Sequence, residues 1–228
     1  MDKHSHIEHE IHHHSVASEI ACHLPYAVFS VALSLVILSI LNFIGVDKDA
    51  DDLRCIWDQL FHNFHFMHIV FAGVGTMLTF FRFSRNLLRG LVVSFCSSMI
   101  FCVLSDIVLP YIGGTLLGVN MHLHICFYYE LKNILPFLLV GLFTGFVMKN
   151  HALESRDKSS LWSHFTHIFI SSLASSFYLV SHGFYDWPSK IGYVFLVLIA
   201  CVLVPCTLSD VVIPVIFAKS SDKKNEKH

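Results

Sequence analysis

Charged side chains are scarce in this chain, and their scarcity excludes an ordinary soluble domain. Asp, Glu, Lys and Arg make up 14% of the 228 residues, about half of the share that is typical of soluble domains. Hydrophobic residues make up 54%, and the mean hydropathy is +0.62. The apolar residues fall in runs of about 20 residues separated by short polar segments, a pattern typical of helical proteins that cross a membrane several times.

Several functional signatures are also missing. The net charge of −2 gives no indication of nucleic-acid binding. The seven cysteines lie mostly in apolar runs and include no Cys-x-x-Cys pair, so we expect no disulfide framework. The chain contains neither a His-Glu-x-x-His motif nor a nucleophile elbow. These absences favour a protein that is not an enzyme.

Six apolar runs predict an all-α fold, a polytopic transmembrane helical bundle. The expected helices are Glu19–Ile44, Leu60–Phe81, Gly90–Ile112, Ile125–Met148, Leu161–His182 and Ile191–Phe217. A His-rich polar tail, residues 1–18, precedes the first helix, and its composition predicts disorder. A basic tail, residues 218–228, follows the last helix.

The basic residues predict the orientation of this bundle, because the cytoplasmic loops of membrane proteins are enriched in Lys and Arg. Six spans place both termini and the 2–3 and 4–5 connections on one side, which carries eleven basic residues against four on the other. The eleven are Lys3, Arg82, Arg85, Arg89, Lys149, Arg156, Lys158, Lys219, Lys223, Lys224 and Lys227. We therefore expect a plasma-membrane protein with two cytoplasmic termini and with the acidic segment 46–58 facing outward.

Three motifs occur twice, in the same order. Residues 102–110 and 206–214 share the pattern Cys-x-Leu-Ser-Asp-x-x-x-Pro, with six of nine positions identical. A Glu-x5-Pro motif opens the first and fourth expected helices, and a His-x-x-His motif opens the second and fifth. The order predicts a duplicated three-helix unit, residues 19–112 and 125–217. Because each unit has an odd number of spans, the two repeats would cross the membrane in opposite directions, as in many secondary transporters.

The inverted topology sorts the paired polar residues into two layers. The expected outer layer is His65, His68, Asp106 and Glu130. The expected inner layer is Glu19, His164, His167 and Asp210. Each layer combines a histidine pair and an aspartate from one repeat with a glutamate from the other.

These residue types suit a metal ion. Two histidines at positions i and i+3 lie on one helix face, about 5–6 Å apart. Imidazole and carboxylate ligands together bind zinc, manganese, iron, cobalt or nickel. Cys102, Cys206 and His23 are further candidate ligands. An aspartate inside a membrane-spanning helix costs about 2.5–3.5 kcal/mol, so Asp106 and Asp210 are expected to be functional.

A proline follows each of these aspartates by four residues. We expect it to kink the helix and to leave the aspartate carbonyl without its hydrogen-bond donor.

The sequence thus predicts a secondary transporter of a divalent transition-metal cation in a lipid bilayer. Coupling to protons is expected, since metal binding displaces protons from its ligands. The His-rich tail favours export and the acidic outer segment suits import, so the direction stays open. Six spans are few for a transporter, which favours a homodimer.

Two alternatives stay open. The first is a membrane-embedded metalloenzyme, or a haem or di-iron redox protein, that uses the same histidines and carboxylates. The second is a structural or receptor-like membrane protein whose polar residues only pack helices together. Three histidines outside the paired motifs are interpreted as interfacial residues: His62, His122 and His124.

Overall fold

The computed structural model describes residues 16–45, 49–126, 130–152 and 158–225. This part of the chain is helical and contains no strand, which confirms the all-α expectation. The helices are α1 (Val16–Ile44), α2 (Ala50–Phe83), α3 (Leu87–Val103), α4 (Leu109–Leu116), α5 (Leu131–Ala152), α6 (Lys158–Ser181), α7 (Ile191–Thr207) and α8 (Ile213–Asn225). Two five-residue π-helical turns join α3 to α4 and α7 to α8, at Leu104–Val108 and Leu208–Val212.

Among the described residues, five helical stretches have the length and apolar composition needed to cross a membrane, which indicates a membrane protein. They are Ser18–Ile44, Asp51–Phe83, Leu87–Leu116, Leu131–Lys149 and Trp187–Ser220. The remaining long helix, α6, is rich in serine and histidine and is the least apolar of the expected spans. Every residue from Ile170 to His182 is buried, so the rest of the bundle shields this polar helix.

The expected helix boundaries are wrong at several ends. Helix α2 begins at Ala50, so most of the segment expected to be an acidic loop is helical, with Asp51 and Asp52 in its first turn. Carboxylates are favourable there because they interact with the positive end of the helix dipole. Helix α1 begins at Val16, inside the expected tail, and α8 continues to Asn225. The rest of the His-rich tail, residues 1–15, lies outside the described residues.

Two further boundaries differ around the third and fourth helices. Helix α4 continues to Leu116, four residues beyond the expected end at Ile112. Helix α5 begins at Leu131 rather than at Ile125. Glu130 therefore stands just before the helix instead of inside it.

The bundle is organised around α2 and α6, which pack against each other at its centre. Helix α1 packs on α6 and α7, and α5 packs mainly on α2. The first helix of each expected repeat therefore lies on the second helix of the other. Large apolar side chains such as Phe29, Phe143 and Leu196 remain 60–69% exposed on the outer helices, as expected of side chains that face lipid.

A close approach between α2 and α5 depends on Gly141. A Cβ atom at this position would lie 2.6 Å from the carbonyl oxygen of Val70 and 3.0 Å from its Cα. Both are backbone atoms of a buried helix, so they cannot move aside like the end of a flexible side chain. Small residues of this kind let membrane helices pack backbone against backbone.

We expect Gly141→Ala to destabilise the protein by about 1–3 kcal/mol, because the added methyl group forces α2 and α5 apart. Thermal unfolding of purified protein in detergent would measure the change. Gly192→Ala is the matched control, since a Cβ there has no heavy atom within 4 Å. Equal melting temperatures for the two variants would contradict the close packing.

Candidate metal centre

The two π turns create the local structure on which the candidate site is built. In the first turn, the backbone N–H of Leu109 donates to the carbonyl of Leu104, five residues back instead of four. In this register the next donor would be residue 110, which is proline and has no N–H. The carbonyl that loses its donor is therefore that of Ser105. The expectation that proline also frees the Asp106 carbonyl stays a prediction.

A hydroxyl group from a neighbouring helix replaces the missing donor. The Ser175 hydroxyl donates to the Ser105 carbonyl at 3.1 Å. In the second turn, where Ile213 N–H donates to Leu208, the Thr76 hydroxyl donates to the Ser209 carbonyl at 3.2 Å. Each buried carbonyl is thus satisfied from the other half of the chain, as burial in an apolar interior requires.

Asp106 lies in the first π turn and is fully buried. Its Oδ2 accepts hydrogen bonds from Nδ1 of His65 at 2.8 Å and from Nδ1 of His68 at 2.7 Å. Its Oδ1 accepts from the hydroxyls of Ser105 at 2.8 Å and Ser171 at 3.0 Å. Four donors occupy the roughly four lone-pair sites that a carboxylate offers, which favours its ionised form.

Asp210 occupies the equivalent place in the second π turn but is less completely bonded. Its Oδ2 accepts from Nδ1 of His167 at 2.5 Å, whereas Nδ1 of His164 lies 3.8 Å away. Its Oδ1 is buried and has no hydrogen-bond partner among the described residues. The sequence explains one of the missing donors: Ser171 stands four residues after His167, whereas Ala72 stands four residues after His68.

Gly75 provides the space for the Asp210 carboxylate. A Cβ at this position would lie 2.9 Å from Asp210 Oδ2 and 3.1 Å from its Cγ. Helix α2 therefore passes directly against the carboxylate, and a side chain there would displace it.

The two histidine layers meet instead of remaining separate. Nε2 of His68 lies 2.7 Å from Nε2 of His167, and Sγ of Cys206 lies 3.8 Å from His68 Nε2. We call these three residues the central cluster; their ligand atoms all lie within 4.8 Å of one another, and all three side chains are buried. Cys102, in the last turn of α3, is also buried.

This arrangement has the chemistry of a metal site. Imidazoles that ligate metals commonly donate their other ring N–H to a carboxylate, which fixes the tautomer and the ring orientation. His68 and His167 do so through Asp106 and Asp210, which leaves both Nε2 atoms directed at each other. The cluster could therefore bind a metal ion through two imidazoles and a thiolate.

A second group of polar residues surrounds a cavity of about 530 Å³ near the start of α2. We call it the vestibule cavity. Its lining consists of Asp51, Arg54, Cys55, Asp58, His62, His122, Leu123, His124, Glu130, Ser181 and His182. Within this region, ligand atoms of His62, His124 and Cys126 lie within 4.8 Å of one another. We call these three residues the vestibule cluster.

Burial favours the uncharged forms of His182, His124 and the Cys126 thiol. It lowers the pKa of His182 to about 4, and together with His62 it lowers the pKa of His124. Burial, with the nearby Asp58 and Glu130 carboxylates, raises the pKa of the Cys126 thiol to about 12. A neutral imidazole is the form that can bind a metal cation.

The structure places the expected site residues in three locations. His65, His68 and Asp106 lie together, as do His167 and Asp210, with His164 at the edge of that set. Glu130 lines the vestibule cavity, where its carboxylate accepts a hydrogen bond from Asn133.

Glu19 and His23 lie at the His164 end of the bundle. The ring of His23 donates from Nδ1 to the Glu19 carbonyl at 2.7 Å and contacts the His164 ring at a centroid distance of 5.2 Å.

Comparisons with known proteins supply no family for this arrangement. No protein-family model, curated protein or solved structure matches the chain. The fold and site alone describe an all-helical protein whose apolar helices could span a membrane and whose His/Cys/Asp groups could bind metal.

Sequence reasoning missed the vestibule cluster. His62 precedes the His-x-x-His motif by three residues and continues its helix face toward the cavity, which is a signal that could have been used. His124 lies in a connection and Cys126 near the start of the expected fourth helix, and no sequence pattern indicates that either lies close to His62.

The Ser171–Ala72 difference predicts opposite effects of two matched substitutions. Ser171→Ala removes a donor from Asp106 and should lower the free energy of unfolding by about 1–3 kcal/mol. Ala72→Ser offers Asp210 Oδ1 a donor and should raise it by about 1 kcal/mol. Thermal or denaturant unfolding in detergent would measure both, and a loss of stability in both variants would contradict the equivalence of the two positions.

Proposed function

We propose that this protein is a secondary transporter of a divalent transition-metal ion and that the central cluster is its ion-binding site. The observation that carries the proposal is the direct approach of His68 and His167, one from each half, beside Cys206 in a fully buried location. Each imidazole is held by a buried aspartate of its own half. In this proposal Asp106 and Asp210 orient the ligands and balance the charge of the ion.

The donor atoms favour zinc over manganese. Imidazole and thiolate suit zinc, copper, nickel and iron, whereas manganese prefers carboxylate and other oxygen ligands. The four acceptor positions of Asp106 are already used, so oxygen donors at the centre are few. Zinc is therefore the ion with which the proposal should first be tested.

The repeated motifs support an inverted-repeat mechanism. The helices α3 and α7 have 17 residues each, and each is followed by a five-residue π turn that contains Leu-Ser-Asp. Thr76 stands eight residues after His68 and Ser175 eight residues after His167. Each donates its hydroxyl hydrogen to the serine carbonyl of the π turn in the other half. Because each half contributes one histidine, a movement of the halves relative to each other would open the ion to one side or the other.

The hydrogen bonds of the cluster support exchange of protons for the metal. If both aspartates are ionised, Nδ1 of His68 and of His167 each carries a hydrogen atom. The 2.7 Å contact between the Nε2 atoms needs one further hydrogen, which a bound metal would displace. Coordination by Cys206 as a thiolate releases another proton.

We propose a plasma-membrane location with both termini in the cytoplasm and the vestibule cavity on the outer face, an orientation that the basic-residue bias supports. We propose that this side faces away from the cytoplasm. The direction of transport and the homodimer stay predictions.

Flux of zinc into sealed liposomes tests the transport proposal. Purified protein reconstituted into liposomes that contain a zinc-sensitive dye should raise the rate of zinc entry above that of protein-free liposomes, without any nucleotide. His68→Gln, Cys206→Ser and Asp106→Asn should each lower the rate at least tenfold, since loss of ligands or of their partners lowers metal affinity about 10–100-fold. His122→Gln is the matched control, because this histidine is exposed and outside both clusters.

A wild-type rate equal to that of empty liposomes for zinc, copper, nickel, cobalt and iron would overturn the transport proposal. An absorbance spectrum of the same preparation separates the redox alternative, because a Soret band would identify bound haem.

Proton release on metal binding is a second expected outcome. Addition of zinc to the protein in weakly buffered detergent solution should release one or two protons from the central cluster for each ion bound there. A pH indicator measures the release, and the difference between the wild type and Cys206→Ser isolates the contribution of this cluster. Equal release by the two proteins would contradict the proposed role of the thiol.

A further inference from the structure

We propose that the vestibule cluster, His62, His124 and Cys126, is a second binding site for a transition-metal ion of the zinc class. It has the same donors as the central cluster, two imidazoles and one thiol, and its ligand atoms also lie within 4.8 Å of one another. An ion can bind there whether or not the protein transports it.

His62 is already oriented as a ligand. Its Nδ1 donates to the carbonyl of Asp58 at 2.8 Å, and the Asp58 carboxylate lies 3.5 Å from the same nitrogen. Because a carbonyl only accepts hydrogen bonds, Nδ1 carries a proton, and in the neutral ring Nε2 then carries the lone pair. That Nε2 is buried and has no hydrogen-bond partner among the described residues. A buried polar atom without a partner is costly, and a bound metal ion would remove the cost.

The segment that carries His124 is held in place by hydrogen bonds on both sides. The backbone N–H of His124 donates to the Tyr178 hydroxyl at 3.3 Å, and that hydroxyl donates to the carbonyl of His122 at 3.3 Å. The N–H of His122 donates to the carbonyl of His182 at 3.1 Å. These bonds tie the connection before α5 to the end of α6, so the ligands need little reorganisation to bind an ion.

The charges around the vestibule cavity suit a cation. Asp51, Asp58 and Glu130 line it together with one basic residue, Arg54. Three carboxylates against one guanidinium give a negative lining, which raises the local concentration of cations. A nearby histidine, His182, stacks against His124 at a centroid distance of 5.8 Å and closes the cluster on its inner side.

The vestibule and central clusters are distinct, and each takes one histidine from α2. His62 and His68 are six residues apart on α2, which corresponds to a separation of about 9 Å along the helix axis. His65 lies between them on the same helix and donates to Asp106. An ion at the vestibule cluster would therefore lie about 9 Å along α2 from the level of His68.

Cobalt substitution tests this proposal on the full-length protein. Cobalt bound by a thiolate gives a charge-transfer absorption that oxygen and nitrogen ligands alone do not give. Residues 1–15 contain no cysteine, so the His-rich segment cannot contribute to this band. We expect the wild type to bind two cobalt ions with thiolate character, one at each cluster.

The variants assign the two ions to their sites. Cys126→Ser and His62→Gln should each remove one thiolate-bound cobalt and leave the other, whereas Cys206→Ser should remove the second. The matched control is Cys55→Ser, because Cys55 is exposed and lines the same cavity but lies outside the cluster. Size-exclusion chromatography checks that each variant is folded, and either vestibule variant alone decides the outcome.

The two proposals can fail separately. An unchanged cobalt band and stoichiometry in folded Cys126→Ser or His62→Gln would overturn the vestibule site and identify its residues as packing groups. If Cys206→Ser keeps the full cobalt–thiolate absorption and Cys126→Ser loses part of it, the central site is overturned and the vestibule site is supported.

Discussion

A buried carboxylate inside a membrane must be surrounded by hydrogen-bond donors, and this requirement organises the protein. An unpartnered charge at the depth of Asp106 would be far more costly than the helix could tolerate. The four donors of Asp106 come from α2, α6 and its own π turn. These elements can satisfy the carboxylate only in one relative position, so the charge fixes the central helix packing.

The π turns follow from the same requirement. A regular α-helix could not place Asp106 between two helices and also lose a donor at Pro110 without leaving a carbonyl exposed to hydrocarbon. The added residue in the turn shifts the register, and a hydroxyl from the opposite half completes the bond. Irregular backbone is tolerated in a membrane protein where it is enclosed by other helices. The serines on α6 therefore do more than allow close helix packing. Ser171 donates to the Asp106 carboxylate, and Ser175 donates to the Ser105 carbonyl.

Much of the fold was predictable from the sequence because membrane burial leaves a strong signal. Long apolar runs gave the helices, and the twice-occurring Leu-Ser-Asp segment indicated the polar centre. The helix ends were less predictable, since Asp51 and Asp52 read as loop residues although they suit a helix start.

The central contact could not be predicted from the sequence. Topology placed His68 and His167 in different layers, and only the close packing of α2 on α6 brings their rings together. The π register was equally hidden, because proline alone predicts loss of the donor four residues back. Spacing along a chain identifies which residues share a helix face, but the contact between faces depends on how closely two helices approach.

The unequal carboxylates show how little chemistry is needed to make two copies of one unit inequivalent. Ser171 and Ala72 differ by one oxygen atom, and the hydroxyl of Ser171 is one of the donors that Asp106 has and Asp210 lacks. Two occurrences of the same Leu-Ser-Asp segment therefore end in carboxylates with different remaining capacity to accept a hydrogen bond. Part of that difference can be traced to one atom of a neighbouring helix.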